Sequence, residues 1–282
     1  MIIDFHTHSH ASDGALAPAD LLAQAAEAGV RRFAMTDHDT VAGYRMLAEA
    51  APALPADFEL VTGTELSCVW NGVTVHVVGL GVALDNPVLV AGLERLDTAR
   101  AERAVIIGQR LEDRGMAGAL QGARAEAGIS QIGRPHFAAW MVANGHVPDL
   151  NKAFDKYLGN GKIGDVKTCW PELPEVVDWI NAAGGTAVLA HPLTYKLTRA
   201  KLKRLIEAFL AAGGCAMEVY SGRQAPDQTR DLCGLAVEYG IPVSAGSDFH
   251  AHWDHGPRFG FDTSQLPRDV EVIAPVGGVA IP

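Results

Sequence analysis

One unit recurs along the chain and limits its fold more than any other feature. A helical run ends near glycine, a short apolar run follows, and a polar residue of metal-ligating type closes it. It occurs as Ala28-Gly29-Val30, Phe33-Ala34-Met35 and then Thr36-Asp37-His38-Asp39. It returns as Ala183-Gly184-Gly185, Ala187-Val188-Leu189-Ala190 and then His191-Pro192. A third copy runs from Gly213-Gly214 through Cys215 to Val219 and Tyr220-Ser221, and a fourth from Gly240-Ile241-Pro242 to Gly246-Ser247-Asp248-Phe249-His250. Glycine after a helix supplies the left-handed cap. The apolar runs suit strands buried on both faces of a parallel sheet.

Further runs at 2–6, 58–64 and 74–79 bring the candidate strands to seven. Alternating strands and helices predict an α/β fold, either a barrel or a doubly wound sheet. Both architectures place their sites at the C-terminal ends of strands. Six of the seven runs close near a candidate ligand; the run at 215–219 carries Glu218, acidic but equally readable as structural. Residues 97–165 break the rhythm. A helix is expected over 88–114, with further helices near 135–144 and 151–158 and no strand signal. We read residues 1–96 and 166–282 as one domain and 97–165 as a helical insertion capping it. The stretch 267–282, punctuated by Gly and Pro, reads as peripheral.

Composition narrows the function. The 282 residues are 48% hydrophobic and 20% charged, which excludes disorder. The formal net charge of −10 disfavours duplex DNA, whose binding needs broad basic patches. No apolar stretch approaches membrane-spanning length and the N-terminus lacks a basic leader, so a cytoplasmic protein without a membrane partner is expected. Cys68, Cys169, Cys215 and Cys233 have no metal-type spacing and read as buried free thiols.

In His6-Thr7-His8 the two imidazoles are at i and i+2, so a strand puts them on one face with Asp4, and Asp4 is placed to orient one of them. Asp248-Phe249-His250 repeats that spacing, and Asp37-His38-Asp39 follows a strand. Each cluster alone reads equally as a turn, a cap or a hydrogen-bonded core histidine. Together, polar clusters that repeatedly end apolar strands are costly unless a shared cation pairs with them. Glu65 closes a strand run, His76 sits inside one, His191 is held extended by Pro192, and Asp13 lies in Ser12-Asp13-Gly14.

In this order, His6-Thr7-His8, Asp13-Gly14, Thr36-Asp37-His38-Asp39, Gly63-Thr64-Glu65, His76, Ala190-His191-Pro192 and Gly246-Ser247-Asp248-Phe249-His250 resemble the polymerase-and-histidinol-phosphatase (PHP) family across nearly the whole chain. The resemblance implies a distorted (βα)7 barrel with two or three divalent ions. His6, His8, Glu65 and Asp248 would hold the first; Glu65, His76 and His191 the second; Asp13, His38 and His250 the third. Some members have His where this chain has Asp13, and a carboxylate there favours Mn2+, Mg2+ or Fe2+ over Zn2+. Three divalent ions against Asp13, Glu65 and Asp248 would leave a cationic pocket in an acidic protein. Such ions lower the pKa of water, so no protein nucleophile is required.

Ile132-Gly133-Arg134-Pro135-His136 resembles the stand-alone PHP phosphoesterases that act on nucleotides. This implies a small phosphorylated nucleotide as substrate, the 3′-phosphate of nucleoside 3′,5′-bisphosphates first among them. Short 5′-phosphorylated RNA, a histidinol-phosphate-type substrate and a non-catalytic metal-binding module are the alternatives. Arg134 is the candidate for phosphate, since its planar fork binds oxygens in pairs. Lys167 is a second cation, and His136 is placed to donate to phosphate or to the leaving group. His10, His146, His252 and His255 read as surface residues, and Arg199, Lys201, Lys203 and Arg204 as a solvated basic face or a contact for a second phosphate or RNA.

Overall fold

The computed structural model describes residues 1–50, 54–222, 224–253 and 256–275. Its elements run β1 (Ile2–Asp4), α1 (Pro18–Glu27), β2 (Arg32–Ala34), α2 (Ala42–Ala50), β3 (Glu59–Val61), β4 (Gly63–Trp70), β5 (Val73–Leu80) and α3 (Pro87–Glu112). Then come α4 (Ala119–Ala127), α5 (Arg134–Ala143), α6 (Leu150–Ala153), α7 (Leu173–Ala182), β6 (Thr186–Leu189), α8 (Arg199–Ala211), β7 (Ala216–Ser221), α9 (Pro226–Tyr239), β8 (Val243–Gly246) and β9 (Phe261–Asp262). The chain divides into two compact units, Met1–Leu93 with Pro171–Pro282, and Glu94–Trp170.

In the first unit the described strands form two sheets, ordered β3-β2-β1-β9 and β4-β5-β6-β7-β8. Strands β1, β2 and β3 are parallel neighbours, as are β6, β7 and β8. Strand β5 is antiparallel to both β4 and β6. The fold is therefore α/β with mixed sheets, and the strands do not close into one seven-stranded ring. The reason is local. Asn71 and Gly72 have φ of 45° and 73°, the paired positive values of a two-residue hairpin turn. Such a turn reverses the chain, so β4 and β5 must pair antiparallel. The run at 58–64 accordingly splits, with β3 ending at Val61 and Glu65 lying near the start of β4.

Backbone hydrogen bonds past the strand ends knit the two sheets together. Asp248 N donates to His6 O (2.8 Å) and Asp39 N to Glu65 O (2.8 Å), while the bond from Thr36 N to Thr7 O (2.8 Å) extends the β1–β2 pairing. These are the loops that carry the candidate ligands. The core beside them contains Leu21 and Leu22 of α1, Phe33, Met35, Tyr44, Leu47, Leu60 and Phe249. Residues 271–273 are not peripheral: Val243 N donates to Glu271 O (2.7 Å) and Ile273 N to Val243 O (2.9 Å), and Ile273 is buried. Residues 276–282 and His255 lie outside the described residues.

The described residues of the second unit are helical and turn. Ala104, Ile107 and Leu111 lie at helical spacing on α3 and share a core with Ala119 and Ala123 of α4 and with Phe137, Trp140 and Met141 of α5. A Cβ on Gly122 would stand 1.9 Å from Trp140 Nε1, so only glycine lets α4 and α5 approach this closely. No described helix is long and apolar enough to cross a membrane. All four cysteines are free; Cys68 and Cys233 are buried, but Cys215 is exposed, contrary to the expectation of buried thiols.

Candidate metal centre

His6 and His8 leave β1 on the same face, as their spacing requires, and both are buried. Their Nε2 atoms converge on Glu65 Oε2, at 3.3 Å and 3.4 Å. The same two nitrogens stand 3.6 Å and 3.4 Å from Asp248 Oδ1. Two imidazole nitrogens and two carboxylate oxygens thus alternate around one point. Donors around a single divalent ion with bonds of ~2.1 Å stand roughly 3.0–3.4 Å apart. Glu65 reaches the second group through its other oxygen: Oε1 is 2.8 Å from His76 Nδ1 and 2.8 Å from His191 Nε2. In the third group Asp13 Oδ1 is 3.4 Å from His250 Nε2 and Asp13 Oδ2 is 3.9 Å from His38 Nε2. His38 Nδ1 is 2.8 Å from Glu65 Oε2 and ties that group to the first. All nine sequence candidates therefore lie in overlapping ligand groups.

The chemistry of the donors fits cations. His6 Nε2, both ring nitrogens of His8, Glu65 Oε2 and Asp13 Oδ1 are buried with no hydrogen-bond partner. Buried polar atoms without partners are rare and costly. A positive ion would satisfy such a convergent set of ring nitrogens and carboxylate oxygens together.

The outer edges of the ligands are held. Glu218 is buried; its Oε1 accepts from His6 Nδ1 (3.1 Å) and its Oε2 from His191 N (2.6 Å). His250 Nδ1 meets Asp248 O (3.0 Å), and His191 Nδ1 meets Thr194 Oγ1 (3.0 Å). Such contacts fix the ring tautomer and orientation of a ligating histidine. Asp37 accepts from Ser9 N, Ser9 Oγ and Ser12 Oγ, each at 2.7 Å, which shapes the loop ahead of Asp13. The place of Asp4 on the face of His6 predicts that it orients an imidazole, and it does not. Its carboxylate accepts from Ser247 N (2.8 Å) and Gly260 N (2.8 Å), binding the loop that carries Asp248.

Two of the candidate ligands stand on unusual backbone. His191 has φ 25° and Asp248 has φ 52°, in the left-handed region that L residues avoid by about 1–2 kcal/mol. The hydrogen bonds from His191 N to Glu218 and from Asp248 N to His6 O offset this strain. Gly246 is needed for a different reason. A Cβ there would lie 2.3 Å from His6 Cβ and 2.6 Å from His6 N, so the approach of β8 to β1 leaves no room for a side chain.

Burial and mutual charge divide the candidate ligands. Burial, helped by His250 and His38, pushes His8 down to about 3. Burial also lowers His76 to about 4 against the pull of Glu65. Both rings are neutral at pH 7 and present lone pairs. Burial opposes the charge on His250, but Asp13 and then Asp248 overturn it and raise that ring to about 10. His6 is raised in the same way, against burial, chiefly by Glu218, Glu65 and Asp248. Burial would raise Asp13, Glu65 and Asp248, yet the histidines around them hold all three well below the usual carboxylate range. Without metal, protons on histidine supply the positive charge that the carboxylates require.

Residues 4–100 match the PHP domain. The chain is 42% identical over 267 residues to the 3′,5′-nucleoside bisphosphate phosphatase of Chromobacterium violaceum, an alignment covering 94% of this chain and 92% of that protein. The chain belongs to the PHP family. This PHP protein is also 41% identical over 247 residues to the 5′-3′ exoribonuclease of Haemophilus influenzae, with 88% of this chain and 89% of that one aligned. Among solved structures it is similar to an amidohydrolase of Chromobacterium violaceum with bound sulfate and no metal, at TM-score 0.85 and 39% identity over 96% of this chain and 93% of that one. As a PHP phosphoesterase, it is a hydrolase acting on phosphoesters.

The remaining candidates lie in the helical unit of this PHP protein. Arg134 opens α5, and its Nη1 donates to Leu158 O (3.0 Å). His136 Nδ1 accepts from Gly133 N (2.9 Å), which leaves the proton of the neutral ring on Nε2. Lys167 Nζ pairs with Asp165 Oδ2 at 3.0 Å. Sequence reasoning left Glu218 undecided; its place one strand from His191 and His250 was the available signal.

Proposed function

We propose that this PHP protein is a metal-dependent phosphomonoesterase of small nucleotides. Its first substrate class is the nucleoside 3′,5′-bisphosphates, cleaved at the 3′-phosphate to leave the 5′-monophosphate. The observation that carries the metal-dependent part is the buried Glu65 Oε2, without a hydrogen-bond partner and facing His6, His8 and His38. The substrate class is supported by the similarity to the Chromobacterium violaceum phosphatase over almost the full length of both chains.

In this reading His6, His8, Glu65 and Asp248 hold one divalent ion, and Glu65, His76 and His191 a second. Asp13, His38 and His250 hold a third, and manganese is the first candidate for the ions. When bound, they activate water as the nucleophile and offset charge on the phosphoryl oxygens. The protein's own part is orientation: Glu218 sets His6, Thr194 sets His191, and the Asp248 carbonyl sets His250. Arg134 and Lys167 are the proposed phosphate contacts. His136, with its proton on Nε2, is the proposed donor to phosphate or to the leaving oxygen.

A second reading, 5′→3′ exoribonuclease, is favoured by the similarity to the Haemophilus influenzae enzyme. The test compares phosphate release from adenosine 3′,5′-bisphosphate with trimming of a 5′-phosphorylated oligoribonucleotide, each with Mn2+, Mg2+, Fe2+ and Zn2+. Turnover of the bisphosphate to adenosine 5′-monophosphate with manganese is expected. Turnover of the oligonucleotide alone would replace the first reading with the second.

A further inference from the structure

The strand pairing that carries His76 and leads into His191 is interrupted at one rung. Strands β5 and β6 pair antiparallel, with Val78 opposite Val188 and Val77 opposite Leu189. One residue further on, His76 stands opposite Ala190, the residue before His191. Ala190 N donates to His76 O (3.2 Å). In an antiparallel ladder such a pair exchanges two bonds, and the second would run from His76 N to Ala190 O. A hydroxyl takes its place. His76 N donates to Tyr195 Oη (2.9 Å), and that hydroxyl donates to Ala190 O (2.9 Å).

Tyr195 ends the short 3-10 turn Pro192–Tyr195, which follows His191 directly. Thr194 N closes that turn onto His191 O (3.0 Å). The phenol ring lies edge-on to the imidazole of His191, with centroids 5.5 Å apart and planes at 67°. One side chain therefore touches both halves of the second ligand group, the backbone of His76 and the ring of His191. A hydroxyl bridge spans a wider gap than a direct N–H to O bond of about 2.9 Å. It holds the end of β6 away from β5 just before His191, where φ is 25°. There the two imidazoles must stand apart and still reach one oxygen. Their centroids are 5.2 Å apart with planes at 70°, and each ring has a nitrogen 2.8 Å from Glu65 Oε1.

We infer that Tyr195 is a positioning residue for the second ion, its hydroxyl setting the spacing between His76 and His191. The inference rests on the metal centre proposed above. Without the hydroxyl, His76 N and Ala190 O either close into the direct rung or face each other unpaired. Both outcomes shift the two imidazoles relative to Glu65 Oε1. His6, His8 and Asp248 are carried by other elements, β1 and the loop after β8, and keep their places.

The test is a manganese titration of the full-length protein after chelation, with free Mn2+ counted by electron paramagnetic resonance. His191→Ala identifies the binding that depends on the second group, by its loss. Tyr195→Phe keeps the ring beside His191 and removes only the hydroxyl. It should weaken the His191-dependent binding by about 10–100-fold, the range for losing a partner behind a ligand. The remaining sites should keep wild-type affinity, and the circular dichroism spectrum should be retained. A phenol that serves only the fold would lower every site together. Unchanged affinity at the His191-dependent site overturns the inference, and so does a parallel loss at every site or a loss of the fold. If His191→Ala removes no binding from the wild-type protein, the reading of a second ion fails and takes this inference with it. If that site exists and Tyr195→Phe leaves it intact, the inference fails alone.

Discussion

Glu218 Oε1 lies 3.1 Å from His6 Nδ1, on the edge of the imidazole opposite the one that faces Glu65 and Asp248. A buried carboxylate behind a ligand ring raises its basicity and fixes its tautomer, and loss of such a partner typically costs 10–100-fold in metal affinity or activity. Glu218→Ala should therefore weaken metal binding by about that factor, while Glu218→Gln, which still accepts from His191 N, should lose less. Manganese titration with equilibrium dialysis measures both. Equal affinity in the two variants and the wild type would remove Glu218 from the centre.

Asp248→Ala takes one donor from the group of His6, His8 and Glu65. Phosphate release should fall by more than the ~10–100-fold assigned to an outer partner, with the circular dichroism spectrum retained. Wild-type turnover in this variant would contradict the ligand assignment.

Metal loading should stabilise the fold. The buried atoms His6 Nε2, His8 Nε2 and Glu65 Oε2 have no hydrogen-bond partner. An ion at 100 times its Kd adds about 2.7 kcal/mol, which for a chain of this size is a rise of roughly 5–10 °C in Tm. Calorimetry before and after chelation checks it, and an unchanged Tm would count against a buried centre.

Ion binding should release protons, and more tightly as pH rises. In the metal-free protein His250 is raised to about 10, against burial, by Asp13 and Asp248. Its charged form thus favours the fold fully below the ordinary histidine value near 6.5, and that contribution is lost as pH climbs through about 10. Glu65 and Asp248 are depressed, so their contribution is present above the ordinary carboxylate range and lost on strong acidification. At pH 7 a cation must displace the His250 proton to use that nitrogen. Calorimetric titration in two buffers of different ionisation enthalpy should show net proton release; identical heats would contradict it.

Gly246→Ala should destabilise by about 1–3 kcal/mol, the usual range for overpacking, and should reduce activity by displacing His6. The clash is with His6 N and Cα and with Cβ, whose position the backbone fixes, so a rotamer change cannot relieve it. Chemical denaturation measures the loss, and a wild-type midpoint would show that β8 and β1 separate freely.

The convergence of the nine candidate ligands was legible because strand periodicity and Gly-punctuated runs are local signals. His6 and His8 share a face for the same reason that Ile3 and Phe5 are buried on the other. The hairpin was less legible: apolar runs say that a strand is buried, not which way it runs, and Asn71-Gly72 decides the direction of β5. Glu218, which the sequence leaves open, backs His6 in place of Asp4. Which carboxylate backs His6 depends on packing across 212 residues of chain, beyond the reach of periodicity.

The most direct measurement is an anomalous difference map from crystals grown with manganese. Peaks are expected within His6, His8, Glu65 and Asp248, and between His76 and His191 on the other side of Glu65. Strong peaks elsewhere with none at Glu65, in crystals of protein that hydrolyses phosphoesters, would contradict the metal assignment.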